Sequence, residues 1–90
     1  MTCYIVSFEI SNQTKKSNVK QQCRAKYPSY CPIHDNCFAL TTTENSMVVR
    51  DYIVQFTQPS DRVFVIKSGT EAAWWNSYGD ENNSWLKGNL

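Results

Sequence analysis

Ninety residues at 10.4 kDa make one domain, since a chain this short buries only about 60 to 65 % of its unfolded surface, and this excludes a multidomain enzyme. Hydrophobic residues make up 41 % and charged ones 19 %, which excludes the apolar-poor, charge-rich composition of a disordered chain. A net charge of +1 excludes a uniformly basic surface.

Residues 3 to 10 alternate, with Tyr4, Val6, Phe8 and Ile10 on one face and Cys3, Ile5, Ser7 and Glu9 on the other, which predicts a strand. The second face turns polar at its C-terminal end, so Ser7 and Glu9 are expected on the side of the sheet that helices leave uncovered. A helix is expected over Ser17 to Tyr27, where Val19, Cys23 and Tyr27 recur at i, i+4 and i+8, capped by Thr14 or Ser17 and ended by Pro28. Residues 28 to 36 read as a loop with room for a short irregular strand around Tyr30. Cys37 to Thr42 is a second strand, Phe38 and Leu40 facing one way and Cys37, Ala39 and Thr41 the other.

Val49, Tyr52, Ile53 and Phe56 have the i, i+3, i+4, i+7 spacing of a core-facing helix, with Asn45 or Thr43 as its cap. Gln58-Pro59-Ser60-Asp61 stops it. Arg62 to Lys67 is β-branched and aromatic enough for a central strand, and Ser68-Gly69-Thr70 follows as a turn. Ala72 to Tyr78 fits a short strand or an aromatic loop. Asp80 can cap a final short helix carrying Trp85 and Leu86. The order β-α-β-α-β predicts an α+β fold over residues 1–90, with a split-βαβ, ferredoxin-like two-layer sandwich and a short C-terminal helix as the natural candidate, βαββαβ if residues 28 to 36 hold a strand. One sheet face is then left bare, and a homodimer is the expected cover.

Charge is unevenly placed. Lys15, Lys16, Lys20, Arg24 and Lys26 meet no acid between residues 10 and 34, a local +5, while the rest of the chain nets −4. Such a segment can contact nucleic-acid phosphates, releasing their counterions, or can simply be a solvated helix face. Cys23, Cys31, His34 and Cys37 are chemically suited to zinc, yet their spacing fits no standard zinc module and packing is the expectation. Trp74, Trp75 and Tyr78 form either a patch for bases or a partner protein, or edge packing. His34 is the only histidine, and no nucleophile pattern accompanies it. The longest apolar run, Val63 to Ile66, is four residues, against the roughly 18 that cross a membrane. With no export signal apparent, a cytoplasmic protein with reduced thiols is expected.

Four stretches share a resemblance. Tyr4-Ile5-Val6-Ser7-Phe8-Glu9-Ile10, Ser46 to Asp51, Asp61 to Ile66 and Ser84-Trp85-Leu86-Lys87 to Leu90 are similar, in order, to segments of the SinR-like family. That family is related to the small CRISPR-associated endoribonuclease of the spacer-acquisition machinery. The resemblance implies a ferredoxin-like dimer and metal-dependent phosphodiester cleavage, with Glu9 as the catalytic and metal-binding acid. Two subunits would then hold one divalent ion, magnesium by its preference for few carboxylates and retained waters. The family's usual acid is aspartate where this chain has Glu9, and residues 12 to 36 replace its usual tryptophan-containing stretch with the basic, cysteine-rich run. An alternative on the same scaffold is a non-enzymatic adaptor, or a mobile-element-encoded inhibitor of a defence system, acting through the acidic remainder of the chain or the Trp74-Trp75 region.

Overall fold

The computed structural model describes residues 1–69 and 71–90. Strands β1 (Thr2–Glu9), β2 (Tyr30–His34), β3 (Cys37–Thr42) and β4 (Arg62–Lys67) alternate with helices α1 (Gln13–Lys26), α2 (Ser46–Val54) and α3 (Asp80–Asn89). The four strands form one antiparallel sheet in the order β2-β3-β1-β4. This is the ferredoxin-like α+β arrangement with an added C-terminal helix. The turn expected at Ser68-Gly69-Thr70 falls partly on Thr70, which lies outside the described residues.

The core forms on one face of the sheet because the period-two pattern of β1 and β3 matches the helical stripes above them. Tyr4, Val6, Phe8, Ile10, Phe38 and Leu40 pack there against Val19, Cys23 and Tyr27 of the first helical segment and Val49 and Ile53 of α2. Asn45 caps α2, its side chain accepting from the Val48 N–H.

α1 starts four residues earlier than its apolar stripe suggests, capped by Asn12, whose side chain accepts from the Lys15 N–H. Its first turn, Gln13 to Lys16, has no apolar residue, so hydrophobic periodicity has nothing there to register. Asn12 supplies the missing signal, since a short polar side chain satisfies an N–H that the helix leaves orphaned. β2 is a regular strand at first and then slips register between Pro32 and His34. Proline, lacking an N–H, is tolerated there because β2 is at the sheet edge.

β4 is also an edge strand, not a central one. Its apolar richness is real, but only Val63 and Val65 lean on the core, while Phe64 and Ile66 stand 62 % and 50 % exposed on the other face. The expected bare face is in fact half covered. α3 places Leu86 over it, and Cys3, Cys31, Cys37 and Ala39 are buried there, outside the main core cluster. The Cys31 Sγ lies 3.9 Å from the Asn82 carbonyl oxygen. Residues 72 to 78 form an irregular aromatic loop, and Gly79 enters α3 at φ 102°, a backbone angle that glycine adopts without steric cost. No helix among the described residues is long and apolar enough to cross a membrane.

Candidate functional site

Alternation along β1 delivers Glu9 to the sheet face opposite α1 and α2, at the end of the strand, and the sheet register sets Arg62 directly across from it. The Arg62 guanidinium donates to the Glu9 carboxylate, and both side chains are largely exposed. Lys67, at the far end of the same strand as Arg62, stands opposite Tyr4. Two open clefts of about 530 and 660 Å³ flank this pair, sharing Phe8, Glu9, Asp61 and Arg62 in their walls. Asp61 accepts from the Gln58 N–H at 2.8 Å and from the Ser11 N–H at 3.4 Å, one backbone donor on each oxygen. The rim therefore presents a carboxylate already matched by a cation. Among the described residues no three His, Cys, Asp or Glu side chains converge as metal ligands.

The basic segment splits once folded. Lys16, Lys20 and Arg24 stand at i, i+4 and i+8 along α1 and form one row. Lys16 is buried, yet its Nζ reaches Asp35 at 2.5 Å, and Lys20 meets the other oxygen of the same carboxylate at 2.8 Å. Arg24 lies over the Tyr30 ring, 5.7 Å from its centroid. Lys20 and Arg24 border a small groove of about 170 Å³ with Gln21, Tyr30 and Pro32. Lys26 turns the other way, toward Glu44 at 3.6 Å and the Tyr27 and Tyr52 rings. Lys15 sits at the helix start, half-buried, its backbone N–H held by the Asn12 cap.

Hydrogen bonds from Lys16 and then Lys20 hold the Asp35 carboxyl down to about 2. A carboxyl depressed in the folded state adds stability above its ordinary range, and that stability disappears as pH falls through the folded value. The urea midpoint of the protein is expected to drop between about pH 4 and pH 2. Asp35→Asn should lower the midpoint at neutral pH and flatten that part of the curve. An unchanged acid limb in the variant would remove Asp35 from the account.

The four zinc candidates do not converge. Cys23 is in the main core beneath α1, while Cys31 and Cys37 are buried on the opposite face of the sheet. His34 is exposed, and its Nδ1 accepts from the Asn36 N–H. All four cysteines are free thiols, and burial raises Cys23 to about 12. In the aromatic loop, Trp74 donates to the Asn83 side chain at 2.7 Å, whereas Trp75 is 94 % exposed and Tyr78 is exposed beside it in sequence. Arg50 and Asp51 contact each other on the surface of α2.

Three partners escape a linear reading: Asp35, Glu44 and Arg62. Asp35 falls one residue past the acid-free stretch, and only the β2–β3 turn brings it under α1. Glu44 receives the Tyr27 hydroxyl at 2.7 Å, a contact that no spacing announces. Compared with models of known protein families, the chain matches none. No curated protein matches it.

Proposed function

We propose that the chain is a nucleic-acid-binding protein that works as a symmetric dimer. The row along α1 carries this reading: Lys16, Lys20 and Arg24 line up on one face, and the first two share a single carboxylate, Asp35, while Arg24 lies over the Tyr30 ring. The Lys20 pair is partly exposed and the Asp35 side chain mostly so, and pairs of that kind hold weakly. A phosphate with higher charge density competes well for Lys20, and Arg24 is exposed beside it. Tyr30 lines the groove, its ring packed on Phe38 and beneath Arg24, which holds the guanidinium in place at the surface.

The test is affinity for single-stranded and duplex DNA and RNA as salt is raised. Replacing both Lys20 and Arg24 by alanine should weaken binding at least about tenfold at low salt and reduce the salt slope by about two, one per lost phosphate contact. Affinity that stays flat with salt overturns the reading. The resemblance extends it to cleavage, but Glu9 is one carboxylate held by Arg62, so no metal step is derived from it. Incubation with magnesium or manganese decides that extension separately: scission lost in Glu9→Gln adds the nuclease half, and intact strands leave a binder.

The exposed Trp75 and Tyr78 favour a second reading, a non-enzymatic adaptor or inhibitor that holds a partner protein through its aromatic loop. Trp75→Ala would then abolish partner capture and leave nucleic-acid affinity unchanged.

A further inference from the structure

We propose that two copies join edge to edge along β4, antiparallel about Phe64, merging their sheets into one. The inference rests on the dimer reading above and names the surface that forms it. β4 is an outer strand, its apolar residues Val63 to Ile66 are bounded by Arg62 and Lys67, and Phe64 and Ile66 are largely uncovered.

The backbone is oriented for this. Ser68 N–H donates to the Cys3 carbonyl at 2.9 Å, and the β1–β4 register pairs Ile66 with Ile5, Phe64 with Ser7 and Arg62 with Glu9. Hydrogen-bonded pairs alternate along an antiparallel ladder, so residues 62, 64 and 66 bond inward to β1. Val63, Val65 and Lys67 then turn their backbone groups outward. A strand approaching that side finds them available.

Charge chooses the occupant and the register. Lysine and arginine on an edge strand ordinarily repel chance pairing, but Arg62 is already tied to Glu9. With the two-fold axis at Phe64, Val63 faces Val65 of the second copy and Lys67 faces Asp61 of the second copy. Two ion pairs then close the ends of an apolar centre, and a shift of two residues either way loses both. A second copy of this chain is therefore the partner whose charges fit. In this dimer the two Glu9 carboxylates stand about 20 Å apart by strand spacing and rise, so they share no metal ion.

Phe64 meets its mate at a non-hydrogen-bonded position, where Cα atoms approach to about 4.5 Å, within the reach of a disulfide. The native thiols are buried, so Phe64→Cys and Ile66→Cys in the full chain can be oxidised and read by mass under non-reducing conditions. Phe64→Cys should give mostly covalent dimer. Ile66→Cys should give at least about tenfold less, because its mate lies four residues along, about 13 Å away. Val65→Pro removes only an outward N–H and should weaken self-association at least about tenfold in sedimentation while leaving the circular dichroism unchanged. Equal linking by both cysteines, or by neither in a protein that sediments as a dimer, overturns the edge arrangement and leaves the dimer reading standing. A chain that sediments as a single copy at every concentration overturns both.

Discussion

Phe38→Ala is expected to destabilise the fold by about 3 to 5 kcal/mol, the usual cost of emptying a buried aromatic site. Phe38 is fully buried on β3, and its ring packs on Phe8 with centroids 5.5 Å apart and on Tyr30 at 4.9 Å. One side chain thus joins three adjacent strands. Natural domains are stable by only about 5 to 15 kcal/mol, so the variant gives up a large share of its stability, and nearly all of it at the low end of that range. Urea denaturation measures it, and a midpoint shift worth less than about 1 kcal/mol would show that the three strands hold without this ring.

Leu86→Asp is expected to release α3 and leave the rest folded. Leu86 is the one buried residue of that helix, and it lies outside the cluster that joins α1 and α2 to the sheet. A carboxylate placed there takes a charge into a buried site beside the β2 strand, where α3 rests against Cys31 through Asn82, which disfavours the docked state. The buried thiol beneath is the reporter. Burial raises the Cys31 thiol above its ordinary value, keeping it protonated and unreactive. Alkylation mapped by mass should reach Cys31 at least about tenfold faster in the variant, with Cys23 still protected, the pattern of a locally opening segment. Simultaneous reaction of Cys31 and Cys23 would mean that α3 and the main core open together.

The fold was legible wherever one face of an element is buried and the other wet. Tyr4, Val6, Phe8 and Ile10 mark β1 by alternation, and Val49 and Ile53 mark α2 by helical spacing, because burial imposes a period on the residues it selects. β4 had the right residues in the right places, but its position in the sheet was not legible, since an edge strand with exposed Phe64 and Ile66 carries the same composition as a buried one. α3 was visible as a helix through Trp85 and Leu86. That it covers Cys31 and Ala39 depends on where the preceding loop crosses the sheet, which no periodicity encodes. In the candidate site, the exposure of Glu9 follows from parity along β1. Its engagement by Arg62, and that of Lys16 and Lys20 by Asp35, follows from strand register and a tight turn, which tie together residues far apart in the chain.

The strand order β2-β3-β1-β4 puts the earliest strand between two that are made later. During translation, β1 leaves the ribosome with neither neighbour: Cys37–Thr42 must emerge to close one side, and Arg62–Lys67 to close the other. Folding speed falls as such long-range pairings dominate, and an unpaired apolar strand invites aggregation while it waits. Ser7 and Glu9, interleaved with Val6, Phe8 and Ile10, break the run and act as gatekeepers during that interval. The polar residues that dress the open end of the finished sheet thus also guard the nascent chain.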